Sequence, residues 1–172
     1  FSDVVTQANV THKSVPMIMT SVSAENFDDI YYQKSIITAF KEAGFHTAFF
    51  SNQRPNRSFI DHFGKEAHSS VFVKAELPHD ANLSDDVLLG YLQKELQNDE
   101  NIKQFIVLHT YGSHFNYSDR YPADCSYYKP DRITTIGQRN REVMVNAYDN
   151  SIRYTDRLLH SIIEMADSLC DK

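Results

Sequence analysis

Two segments share an alternation that few folds accommodate. In residues 33–43, Ile36, Ile37, Phe40 and Ala43 fall on one stripe of 3.6-residue period, and Gly44 follows as a natural helix stop. Phe45-His-Thr-Ala-Phe-Phe50 is then a short β-rich run, and it ends in the polar Ser51-Asn52-Gln53. Phe105-Ile-Val-Leu-His109 is a second apolar run, of the kind buried on both faces of a parallel sheet, and it opens into a polar loop over 110–122. Helix, glycine, strand and polar loop in succession is the cadence of an α/β unit.

The rest of the chain fits that cadence. Residues 11–20 read as the start of a helix, with Pro16 tolerable only in its first turn, where a missing N–H costs nothing. Phe59, Ile60 and Phe63 suggest a short helix, and 70–74 a strand. Ser84 is placed as an N-cap with Asp85 and Asp86 in the first turn of a helix that buries Val87, Leu88, Tyr91, Leu92 and Leu96. Residues 123–140 read as loop. A long helix is expected over 141–169, with Ala147, Ile152, Leu158, Leu159, Ile162, Ile163 and Met165 spaced for burial. Both ends look cut, since no cap or strand opens the chain and a further strand should follow the last helix. The 172 residues are read as one partial domain, 1–172.

Composition narrows the function classes. At 41% hydrophobic and 23% charged, with 11 Phe and 10 Tyr, the chain has ample core material and is not of the disordered type. Seventeen Lys and Arg against 23 Asp and Glu leave −6, which argues against broad electrostatic attraction to nucleic acid. The longest apolar runs are too short to span a bilayer, and no signal peptide opens the chain, so it reads as a soluble piece with no membrane span of its own. Truncation would leave apolar faces uncovered, so self-association is expected. Cys125 and Cys170 permit at most one disulfide, and a small hydrophobe is the better default for either.

Two places carry chemistry. His109 and His114 bracket Thr-Tyr-Gly-Ser at the end of the second strand, where α/β folds assemble their sites, and Gly112 permits close backbone approach to a ligand. They could also be solvated or hydrogen-bonded histidines of a turn; Asp119, Arg120 and Tyr121 nearby add polar function without a unique motif. Thr11 stands just before the first turn of the expected first helix, where free N–H groups favour a phosphate or an alkoxide; on position alone an N-cap is the better reading. Histidines 12, 46, 62, 68, 79 and 160 show no paired-ligand spacing, and no P-loop, GxGxxG or GxSxG is present.

Taken together, the segments resemble the phosphoethanolamine transferases of the sulfatase and alkaline phosphatase superfamily. Asn9-Val-Thr11-His-Lys-Ser-Val-Pro16-Met resembles the nucleophile segment, and Ala43-Gly-Phe-His-Thr-Ala-Phe-Phe-Ser-Asn-Gln53 the helix-to-strand step. Ser84-Asp-Asp-Val-Leu-Leu89 is similar to an acidic-Val-Leu-Leu helix start. Phe105-Ile-Val-Leu-His-Thr-Tyr-Gly-Ser-His114 with Arg120-Tyr-Pro122 resembles the His-x-x-Gly-Ser/Thr-His and Arg-Tyr-Pro signature. Asn146-Ala-Tyr-Asp-Asn150 with Tyr154-Thr-Asp156 is similar to the Tyr-Asp-Asn helix.

The resemblance implies an alkaline-phosphatase-like three-layer αβα sandwich, incomplete here. It implies a zinc-bound threonine that takes phosphoethanolamine from phosphatidylethanolamine and passes it to lipid A or a core sugar of lipopolysaccharide. Thr11 would be nucleophile and zinc ligand, and His114 the histidine on the substrate phosphate. The family's metal-binding Glu, its Asp-His pair and a later histidine have no match, so zinc would be held tightly only in a membrane-anchored parent at the periplasmic face of the inner membrane. Gln7 and Met17 stand where lipid A-directed members carry flanking cysteines, which brings the core-sugar branch closer. A sulfatase, a phosphoglycerol transferase or a non-catalytic binding domain on the same fold are the alternatives. The sulfatase motif would need an Arg that Ser14-Val-Pro-Met-Ile18 lacks.

Overall fold

A computed structural model describes residues 2–55, 59–78, 81–98 and 103–170. The chain divides into two compact units, Phe1–Ala75 with Glu100–Leu108, and Glu76–Asp99 with His109–Lys172.

The first unit contains α1 (Thr11–Met19), α2 (Ile36–Glu42), β1 (His46–Ser51), α3 (Ile60–Glu66) and β2 (Ser69–Phe72), and β3 (Gln104–His109) joins its sheet. Sheet order is β2-β1-β3, which puts β1 in the centre, and all but its first residue are buried. β1 and β2 run parallel, with Ala48 opposite Ser69 and Ser51 opposite Phe72. Met19, Val22, Ile30, Ile37, Phe49, Ile60 and Phe63 form one buried apolar cluster. α3 can lie close to the strands because Gly64 has no side chain: a Cβ there would stand 2.8 Å from Phe72 Cζ and 3.3 Å from Phe49 Cδ1.

Local chemistry adjusts the expected boundaries. α2 starts at Ile36 because Ser35 caps it, its Oγ accepting from the N–H groups of Ile37 at 3.1 Å and Thr38 at 3.3 Å. The Ser35 hydroxyl also donates to the Glu66 carboxylate, as Thr38 does at 2.6 Å, which ties α2 to α3. Gly44 does end this helix, at φ 84°. Pro16 lies past the first turn of α1 rather than within it. The ring leaves the His12 carbonyl without its helical donor, but His12 is exposed to water, while Pro16 and Met19 are buried. β3 is half-buried along its whole length and forms the edge of the described sheet, so it is not covered on both faces as its unbroken apolar run suggested.

The second unit contains α4 (Val87–Leu96), α5 (Arg141–Cys170), and the irregular stretch that follows β3. α4 begins at Val87, later than a Ser84 cap would place it; Val87 N–H donates to the Ser84 carbonyl at 3.3 Å and Leu88 N–H to that of Asp85 at 3.1 Å, forming a turn ahead of the helix. Leu88 and Leu92 of α4 are buried, as are Ala147, Tyr154 and Leu158 of α5. The buried face of α5 also carries Asn150 and Ser151, whereas Ile152, Leu159 and Ile163, expected inside, are 46%, 52% and 58% exposed. That face turned outward because hydrogen-bonding residues occupy the inner one. Cys125 is a free, half-buried thiol whose pKa burial pushes up; the Cys170 side chain and all of His79 lie outside the described residues. No helix among the described residues is long and apolar enough to cross a membrane.

Candidate functional site

Thr11 is the first helical residue of α1, exposed, with Val10 in the cap position and no side-chain hydrogen bond closing that end. The cap reading therefore fails: a hydroxyl at the first helical position is not placed to cap its own helix. The first backbone donors folded into the helix are Lys13 and Ser14, both to the Val10 carbonyl at 3.0 and 2.9 Å. The two earlier N–H groups, of Thr11 and His12, have no partner within the helix, and this end carries the positive end of the helix dipole. Below it the helix is pinned by Lys13, whose Nζ sits 3.7 Å from the centroid of the Phe27 ring.

The histidine loop belongs to the second unit. His109 closes β3 half-buried, and burial holds its imidazole below the ordinary value of 6.5, partly offset by the Asp85 charge. Asp85, 3% exposed, accepts from the Tyr111 N–H on Oδ1 at 2.9 Å and from the Gly112 N–H on Oδ2 at 2.8 Å. Gly112 has φ 55°, the left-handed turn that a glycine supplies without strain. His114 follows, exposed, with Nδ1 against the Phe115 carbonyl oxygen and its ring edge-on to Tyr111 at 6.4 Å. The loop thus brings His109, His114 and Asp85 together; Thr11 belongs to the other unit. Asp85 was legible only as a helix-dipole residue, because a carboxylate in Ser-Asp-Asp carries no sign that its partners lie 26 and 27 residues onward.

Arg120 is held in place, with its guanidinium 4.6 Å from the Tyr111 centroid and Nε donating to the Asn116 carbonyl at 3.1 Å. Tyr121 is different: it is buried, its hydroxyl donates to Asp131 at 2.8 Å, and burial pushes its pKa up to about 12. It is a structural residue, inert as an acid or base near neutrality. Asn150 completes this cluster. Its Oδ1 accepts the N–H groups of Tyr127 at 3.0 Å and Tyr128 at 2.8 Å, and its Nδ2 donates to the Tyr128 carbonyl at 2.9 Å and to Asp131 at 3.1 Å. The Asn of the Tyr-Asp-Asn segment is therefore a pin that fastens the irregular stretch to α5.

A sulfatase family model matches residues 1–172. The chain belongs to the sulfatase family. It is 30% identical over 133 residues to the Kdo(2)-lipid A phosphoethanolamine 7''-transferase of Escherichia coli K12, a match spanning 77% of this chain and 24% of that protein. It is 25% identical over 169 residues to phosphoethanolamine transferase EptC of the same organism, spanning 95% of this chain and 29% of that one. Its fold superposes on the C-terminal periplasmic domain of E. coli EptC, a complex with Zn, with a TM-score of 0.84 at 24% identity, over 96% of this chain and 47% of that one. The fold is thus the alkaline-phosphatase-like α/β fold of these domains. The chain spans about a quarter of the length of these curated relatives.

Among the described residues, His46, His62, His68 and His160 have ordinary employment. His68 Nδ1 meets the Thr47 N–H at 3.1 Å and stacks on His46 at 5.1 Å. His62 and His160 pair with Glu66 and Glu164 one helical turn onward, at 3.3 and 3.2 Å.

Proposed function

We propose that this chain is part of the catalytic domain of a membrane-anchored, periplasm-facing phosphoethanolamine transferase acting on a lipopolysaccharide component. The observation that carries the reading is Thr11: an exposed hydroxyl on the first residue of a helix whose N-terminal N–H groups are not closed by a side chain, inside the segment that resembles the family's nucleophile. The relatives named as phosphoethanolamine transferases support the substrate class.

In this reading Thr11 Oγ1 attacks the phosphorus of phosphatidylethanolamine. An Oγ1–P bond forms, the bond from phosphorus to the diacylglycerol oxygen breaks, and the proton lost by the Thr11 hydroxyl ends on the departing diacylglycerol oxygen. A hydroxyl of lipid A or of a core sugar then attacks the phosphothreonine, and Thr11 regains its proton. The helix N-terminus favours the charge on the phosphoryl oxygens. His114, exposed at the tip of its loop, donates a hydrogen bond to a phosphoryl oxygen.

Zinc is implied by the family, and the solved E. coli domain is a complex with Zn. Among the described residues no group of three or more His, Cys, Asp or Glu side chains is placed to hold a metal ion. Thr11 offers one oxygen where a zinc site takes about four ligands. The described residues do not make a zinc site, so no step is assigned to the metal, and we propose that the remaining ligands lie outside this chain. Calorimetry on the chain alone should give no tight zinc binding; a stoichiometric site lost in Thr11→Ala would contradict this.

The direct test is turnover of phosphatidylethanolamine by the full-length enzyme carrying Thr11→Ala. Activity should vanish with folding intact, and retained activity would end the reading.

A further inference from the structure

We propose that Asp85 is the positioning residue of the histidine loop: its carboxylate, held in the turn ahead of α4, grips the paired amides of Tyr111 and Gly112 and so fixes the turn that presents His114. The inference rests on the functional reading above, which gives His114 its task.

Two consecutive N–H groups around a left-handed residue form a small concave site for an anion. Here the chain supplies the anion itself. One oxygen goes to each amide, at 2.9 and 2.8 Å, within the range of charge-assisted hydrogen bonds. The carboxylate is 3% exposed, so water does not compete for it. Tyr111 is clamped a second time by the Arg120 guanidinium on its ring, and His114 rests edge-on against that ring. A carboxylate that fixes Tyr111 and Gly112 thus sets the origin from which His114 projects. It also means that this amide pair is occupied by the protein and is not the seat of the substrate phosphate. Asparagine has nearly the same shape but only one acceptor oxygen, and its NH2 would face one of the amide hydrogens.

The test uses the full-length enzyme with headgroup-labelled phosphatidylethanolamine, in Asp85→Asn, His114→Ala and the double variant. Asp85→Asn should lower kcat on the order of tenfold to a hundredfold, the range expected when a group is displaced by about 1 Å, with KM little changed. It should add nothing to the loss already caused by His114→Ala, because it acts through that residue. Losses that multiply, or a folded variant with undiminished kcat, overturn the proposal. If His114→Ala leaves turnover intact, the functional reading falls on its own, and hydrogen exchange of the peptide covering 109–116 decides the role of Asp85. Faster exchange confined to that peptide in Asp85→Asn supports the grip; unchanged protection refutes it. Should Asp85→Asn fail to fold, Gly112→Ala disturbs the same turn from the other side. Its Cβ would meet nothing nearer than Thr110 Oγ1 at 3.7 Å, so the change acts through φ alone. It should give the same kcat loss and faster local exchange, and normal turnover would refute the proposal.

Discussion

The first unit is organised around an apolar cluster in which Ile37 and Ile60 are fully buried and Phe63 is 1% exposed. The irregular stretch of the second unit, from His109 to the start of α5, is organised by buried polar groups. Buried Asp85 holds its beginning, while buried Asn150 holds residues 127–131, with half-buried Asp131 among its partners. The first arrangement tolerates changes of detail so long as volume is kept; the second depends on individual atoms, because a buried acceptor left without its donor costs more than the bond contributes. A sulfatase-family scaffold thus pairs a forgiving core with a loop region of fixed geometry, and the loop region carries the candidate histidine.

The contrast can be broken from either side. Phe63→Ala opens a cavity in the apolar cluster and should cost about 3–5 kcal/mol of stability, read by denaturant unfolding. Asn150→Ala should cost about 2–3 kcal/mol, since it strands the N–H groups of Tyr127 and Tyr128. Hydrogen exchange should rise in 121–133 and stay unchanged in β1. Equal effects of the two variants on both regions would dissolve the distinction.

Acidification gives a smaller effect with a defined sign. The folded-state pKa of His109 is depressed, so the unfolded chain binds the proton more readily. Stability is present above the ordinary 6.5 and is lost as pH falls from there through the folded value. Asp131 acts in the same direction lower down. Burial raises its pKa, but hydrogen bonds from Ser126, Tyr121 and Asn150 and the nearby Lys129 charge bring the net value below 3.8, so its contribution disappears as pH falls through the folded value. His109→Gln should flatten the melting temperature just below pH 6.5 and leave the more acidic decline. The smallest expected change concerns association: Leu159→Glu with Ile163→Glu on the exposed stripe of α5 should reduce self-association measured by light scattering, with the melting temperature nearly unchanged.

Periodicity made the regular elements legible. The stop at Gly44 and the start of α5 at Arg141 stand where local pattern places them, but the stripe of α2 holds only in part: Ile37 is buried and Phe40 half-buried, while Ile36 is 41% exposed and Ala43 is exposed. What was not legible depends on partners distant in sequence. Nothing near Asp85 announces the amides of Tyr111 and Gly112, and nothing near Asn150 announces Tyr127 and Tyr128. The same distant bonding explains the outward turn of Ile152 and Ile163, because apolar spacing alone does not reveal that Asn150 and Ser151 take the inner face. His114 was visible as a motif residue, whereas the carboxylate that braces its loop was not.

The central claim is that Thr11 carries the phosphoryl group. The full-length enzyme, mixed with phosphatidylethanolamine and quenched within its first turnover, should yield by mass spectrometry a phosphoethanolamine adduct on the peptide containing Thr11. The adduct should be absent in Thr11→Ala and form more slowly in His114→Ala. An adduct on another residue, or undiminished turnover in Thr11→Ala, would contradict the account.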